Sequence, residues 1–213
     1  MRLPASAVVA AIVAVATILP APVKAFAVFG YTWVPATMAY YVNPTNMQLP
    51  TANVLAAVRA GADAWHAQSG TPFTFVYAGL SSQTTNTNDG LNVVMFRNAA
   101  SGSALATTYG WFSGSRFIDA DIVFWDSSFA FATGTGPCSN AYYIDDIAAH
   151  EFGHALGLDH SAIASATMYF QMGACSMQNR TLDPDDISAV LSLYPHIAVA
   201  PPAPKNLRII GGL

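Results

Sequence analysis

Charge is scarce in this sequence. Only 9% of its 213 residues are Asp, Glu, Lys or Arg, and the eight Lys and Arg are scattered along the chain. A nucleic-acid binder needs a basic patch to displace counterions, so that class is excluded. Glutamate is nearly absent: Glu151 is the single one. Cysteine occurs twice, at Cys138 and Cys175, with no Cys-x-x-Cys. That leaves no redox pair and no cysteine zinc knuckle, and allows at most one intrachain disulfide. Only one apolar run is long and uncharged, and it lies at the start of the chain.

That run, Ala5 to Leu19, follows Arg2 and precedes Pro20 and Pro22, with small residues around Ala25. A positive start, an apolar stretch and small residues make a cleavable secretory leader. The run is short for a bilayer span, which needs about 20 residues, and prolines end it. A leader over residues 1–25 is therefore expected, with no stable membrane association after its removal. In an oxidising compartment the default for Cys138 and Cys175 is a disulfide between them.

Beyond the leader, Phe29 to Val42 is rich in aromatic and β-branched residues and reads as a strand. Val54, Val58, Ala62 and Trp65 recur at helical spacing in a segment that opens after Pro50 and stops at Gly70. Strands are expected over 73–77, 91–96, 104–112 and 118–125, with a polar loop over 81–90. A loop rich in Gly, Ser and Thr is expected over 126–140, a second helix over 142–156 and an irregular stretch over 157–182. A third helix opens at Asp183-Pro184, where Asp185 and Asp186 suit its positive end. The order implies an α+β domain, one twisted sheet packed on helices.

Residues 150–160 read His-Glu-Phe-Gly-His-Ala-Leu-Gly-Leu-Asp-His. His150 and His154 are four apart on a helix, so their rings leave the same face and can share an ion. Gly157 can take the positive φ that ends a helix and turns the chain back, bringing His160 to the same ion. Three imidazoles leave a tetrahedral zinc one open position, the arrangement of a catalytic site. Glu151 adjoins the first ligand, where a general base is needed. Three of the five histidines and the single glutamate fall in this window, which a chance cluster on a core helix does not explain.

The stretch Ala148-Ala149-His150-Glu151-Phe152-Gly153-His154-Ala155-Leu156-Gly157-Leu158, with Ser161 after the last histidine, resembles the active-site helix of the matrixins, a group of metzincin metallopeptidases. Ala166-Thr167-Met168-Tyr169 is similar to their methionine turn, and Asp185-Asp186-Ile187 with Leu193-Tyr194 to their last helix. The resemblance runs over about residues 30–195 and implies a metzincin-like zincin fold with a mostly five-stranded sheet. It implies that Met168 forms a packed floor beneath the metal, that Leu105 and Ala106 contact substrate along an edge strand, and that Tyr169 contacts it from the methionine turn. One of Asp185 and Asp186 would also anchor the mature N-terminus.

The departures also carry information. No cysteine-switch propeptide is expected. Val123, in Asp121-Ile122-Val123-Phe124, stands where the family often has a ligand to a second, structural zinc. His66 and His196 are the spare histidines, so one catalytic Zn2+ is expected and no second. Phe170 replaces the proline that usually follows the methionine-turn tyrosine, so substrate preference is not carried over. The resemblance leaves calcium open, with Asp89, Asp119, Asp121 and Asp126 as candidate ligands and no EF-hand loop.

The expected organisation is a leader over 1–25, a metallopeptidase domain over 26–197, and a Pro-rich linker and tail over 198–213. The expected function is that of a secreted, monomeric zinc endopeptidase acting on extracellular polypeptides. Zinc would polarise the scissile carbonyl and acidify its bound water, with Glu151 as base. The alternative is a secreted zinc-binding or adhesion module of the same fold without activity, which would have no need of Glu151.

Overall fold

The structure is a computed structural model that describes residues 25–45 and 49–196. Apart from Ala25, the expected leader lies outside the described residues, as does the tail over 198–213.

Five strands form one mixed sheet: β1 (Thr37–Asn43), β2 (Thr74–Leu80), β3 (Asn92–Arg97), β4 (Ala106–Ser113) and β5 (Arg116–Trp125). Their spatial order is β2-β1-β3-β5-β4. All neighbours run parallel except β4, which is antiparallel to β5 and whose outer edge is unpaired among the described residues. Side chains alternate across a pleated sheet. Met38, Tyr40 and Val42 of β1 and Ala120, Ile122 and Phe124 of β5 therefore face one side, where three helices cover them. These are α1 (Thr51–Ser69), α2 (Ile144–Leu156) and α3 (Pro184–Leu193).

Aromatic residues dominate this core. Phe152 of α2 is fully buried against Tyr40 at 4.9 Å and Phe75 at 4.6 Å between ring centroids. Each such side chain contributes about 1.5–3 kcal/mol by leaving water. Trp65 of α1 donates its indole N–H to Ala149 O of α2 at 2.8 Å, so the two helices share a hydrogen bond as well as apolar surface.

The opposite face of the sheet carries a smaller cluster of Val93, Met95, Val123 and Trp125. Asp119 and Asp121 lie on this face, fully buried, and hold the 81–91 loop against it. Asp121 accepts the amides of Thr87 and Val93, and Asp119 those of Asp89 and Gly90, at 2.8–2.9 Å. Two of the candidate calcium ligands thus serve as acceptors for loop backbone.

Of the element starts that the sequence pattern misplaces, two have a cause in tertiary pairing. The expected strand over 29–42 is a strand only from Thr37, because the segment before it instead makes single bridges, Val28–Leu158 just past the end of α2 and Thr32–Arg116 at the start of β5. The helix expected from Tyr142 begins at Ile144, because Tyr142–Tyr143 form β7 and pair with β6, Phe131–Ala132, inside the expected 126–140 loop. Both are long-range pairings that override local preference. Cys138 and Cys175 are joined in a disulfide that ties this loop to the segment after the methionine turn.

Candidate active site and metal centre

Helix α2 supplies two of the three clustered histidines. His150 and His154 project from one face, and their Nε2 atoms stand 3.1 Å apart. The helix stops at Gly157, whose φ of 109° is a left-handed conformation that favours glycine. Its position leaves no room for a side chain either, because a Cβ there would meet the Tyr31 carbonyl oxygen. The chain then returns past α2. Ser161 N donates to Met168 O at 2.9 Å, and this bridge to the methionine turn places His160 against the other two rings. One ligand atom from each of His150, His154 and His160 lies within 4.8 Å of the others.

The rings are oriented from behind. His150 Nδ1 lies 2.7 Å from Thr167 O and His154 Nδ1 lies 2.8 Å from Leu158 O. A carbonyl can only accept, so each Nδ1 carries the hydrogen and each Nε2 presents a lone pair to the centre. Two lone pairs 3.1 Å apart repel unless a cation lies between them. Tetrahedral zinc with about 2.05 Å bonds to nitrogen separates its ligands by about 3.3 Å. The donor set therefore fits Zn2+. Burial and the neighbouring imidazoles push His150 down to about 3, and burial lowers His160. Both are neutral near pH 7, as a metal ligand must be.

Glu151 is buried at 5% exposure, and burial raises its carboxyl pKa. Thr108 of β4 donates its hydroxyl to Glu151 Oε2 at 2.6 Å. The sequence reading did not single out Thr108. The available signal was alternation: it shares the helix-facing side of its strand with Ala106, and it is polar.

A cleft of about 1200 Å³ runs along the outer edge of β4 and contains the three histidines and Glu151. Leu105, Ala106 and Tyr169 also line it. Met168 does not: it is buried beneath α2 at 1% exposure. Phe129, Tyr142, Ile147, Phe170 and Met172 add an apolar wall on the side of the disulfide-tied segments. Phe129 and Tyr142 meet edge to face at 5.7 Å.

The segment before β1 closes the end of α2. Trp33 donates its indole N–H to Ala155 O, and the Tyr194 hydroxyl accepts from Trp33 N and donates to Leu156 O. The amides of Ala25 and Phe26 each lie 3.2 Å from Asp185 Oδ1, whose partner oxygen accepts from Ser161 Oγ at 2.6 Å. Asp186 accepts from the amides of Thr167 and Met168, so α3 holds the methionine turn in place. His66, one of the spare histidines, lies with Nδ1 2.9 Å from Thr71 O at the end of α1.

Comparison with known proteins gives a consistent result. Matrix metalloproteinase-27 of Tupaia belangeri is 24% identical over 198 residues, which cover 85% of this chain and 35% of that protein. The hatching enzyme of Paracentrotus lividus is 44% identical over 70 residues, 32% of this chain and 11% of the enzyme. Matrilysin of Homo sapiens is 36% identical over 80 residues, covering 30% of each. The chain spans about a third or less of the length of these relatives. The family model for matrixins matches residues 32–195, from the segment that closes α2 to the end of α3. This chain belongs to the matrixin family of metallopeptidases.

Proposed function

We propose that the chain is a secreted zinc-dependent endopeptidase that cleaves extracellular polypeptides. The observation that carries this reading is the convergence of three imidazoles beside a buried carboxylate, in a cleft bordered by a strand edge that is unpaired among the described residues. His150, His154 and His160 would hold Zn2+, which supplies Lewis acidity to the scissile carbonyl and to water.

The remaining work falls to the chain itself. An extended peptide pairs with the outer edge of β4 through backbone hydrogen bonds, which accept many sequences. Leu105 and Ala106 contact it there, and Tyr169 contacts it from the methionine turn. Glu151 takes a proton from water as the water oxygen bonds to the carbonyl carbon. It then gives that proton to the peptide nitrogen as the C–N bond breaks. Substrate side chains entering the wall of Phe129, Tyr142 and Met172 would set preference. Secretion is inferred from the 1–25 leader and from the disulfide. No helix among the described residues is long and apolar enough to cross a membrane.

Cleavage profiling on a peptide library, with and without a chelator, tests the proposal. Internal cleavage that the chelator abolishes and zinc restores is the expected result. Zinc-loaded, folded protein that leaves every peptide intact would favour the inactive zinc-binding module instead.

A further inference from the structure

The sheet and the active-site helix meet chemically at one point beside the metal centre. Thr108 Oγ1 lies 2.6 Å from Glu151 Oε2 and 3.0 Å from the backbone oxygen of the same residue. A threonine hydroxyl has one proton to give, and a carboxylate is the stronger acceptor. The shorter distance falls in the range of a charge-assisted O–H···O bond, about 2.5–2.7 Å. Among the described residues no donor is bonded to Glu151 Oε1, although the carboxylate lies in the cleft.

The hydroxyl sits on a firm base. Thr108 pairs with Ile122 across the antiparallel β4–β5 ladder, and Ile122 is 1% exposed in the core. Its β-branched side chain has few χ1 choices. Fixing Oε2 at one end of a planar carboxylate leaves Oε1 little freedom to turn away from the cleft. The same strand that holds Glu151 on its inner side offers its outer edge to a peptide. Base and substrate would then share one frame, so their relative position would not depend on how the strand and α2 shift against each other. Such near-attack alignment can carry a large part of a rate enhancement.

We propose that Thr108 is a positioning residue, holding the Glu151 carboxylate in its working orientation by donating to Oε2. This rests on the reading of Glu151 as general base. Thr108 gives up no proton in the cycle: it stays a neutral donor to Oε2 while the transferred proton comes and goes at Oε1.

The test compares Thr108→Val, which keeps the shape and loses the hydroxyl, with Thr108→Ser, which keeps the hydroxyl. Thr108→Ala is a second hydroxyl-free variant should the valine fail to fold. Because Glu151 is the single glutamate, protein labelled with glutamate carrying 13C at the carboxyl shows one side-chain carboxylate resonance that reports this residue directly. In zinc-loaded Thr108→Val, kcat should fall about 10- to 100-fold, the scale of one charge-assisted hydrogen bond. KM and zinc content should stay near wild type, and the carboxyl resonance should move in metal-free and loaded protein alike. Thr108→Ser should bring both kcat and the resonance back. An unmoved resonance, a change confined to KM, or a serine variant as slow as the valine would overturn the proposal. Glu151→Gln, assayed in parallel, separates the two readings. If it turns over normally, the general-base assignment fails. If it is inactive while Thr108→Val is fully active, only the role of Thr108 fails.

Discussion

Met168 lies directly against Gly153, its sulfur occupying the space that a side chain at 153 would fill, with Trp65 Cζ2 2.6 Å from the same point. The methionine turn, the active-site helix and α1 meet here with no spare volume. Gly153→Ala should therefore force Met168 or Trp65 aside and cost about 1–3 kcal/mol of stability. It should also weaken zinc binding, because the displaced turn carries the Thr167 carbonyl that orients His150. Thermal melting and zinc titration of the variant check this. Wild-type values in both would mean that the contact is loose.

Glu151→Gln keeps the size of the side chain and removes its basicity. It should bind one zinc per chain, as wild type should, and lose about 10²- to 10⁴-fold in turnover. Elemental analysis of the dialysed protein and steady-state kinetics give the two quantities. Near-normal turnover by metal-loaded variant would remove Glu151 from the mechanism, and two tightly held zinc ions per wild-type chain would contradict the single centre.

The Cys138–Cys175 bond closes a loop with a sequence separation of 37. The chain-entropy model assigns such a loop about 4 kcal/mol. Cys175 N also donates to Ala141 O at 2.8 Å, so the bond reinforces an existing backbone contact. Reduction should lower the melting temperature and broaden cleavage preference, since Gly173 and Met172 on the tied segment line the cleft. Zinc binding should persist after preference is lost. Melting curves and library profiles with and without reductant decide it, and an unchanged melting temperature after verified reduction would refute it.

Asp121 gives a pH dependence with a definite sign. Burial outweighs its backbone hydrogen bonds and raises its pKa from 3.8 to about 6. Between those values the folded state holds a proton that the unfolded state has released. The stabilising contribution is thus complete below about pH 4 and is lost as pH rises through 6, by at most about 1.4 kcal/mol per pH unit. Asp119, Asp146 and Asp186 are raised by burial too and act in the same direction. His150 and His160 act in the opposite direction in metal-free protein, so the informative quantity is the difference between wild type and Asp121→Asn. That difference should vary between pH 4 and 6 and be flat above pH 7. A flat difference across the whole range would show that Asp121 does not titrate there.

The helical parts of this protein were legible because their information is local. A spacing of four fixes that His150 and His154 share a face, and Gly157 marks where that face ends, whatever surrounds them. Asp183, Pro184 and the acids that follow mark the start of α3 in the same way, and the capping box formed by Asp183 and Asp186 is made within a single turn. What only the tertiary structure decided are the meetings of distant segments. Sequence does not say that Thr108 reaches Glu151, 43 positions away, or that Asp121 holds Thr87. It suggested one long strand where the segment before Thr37 instead makes single bridges, and a helical turn where Tyr142–Tyr143 instead pair with Phe131–Ala132. Periodicity reports which face of an element is apolar, not which partner covers it. That choice is made by the packing of the whole core, where an aromatic or β-branched run satisfies a strand, a bridge or a cleft wall equally well.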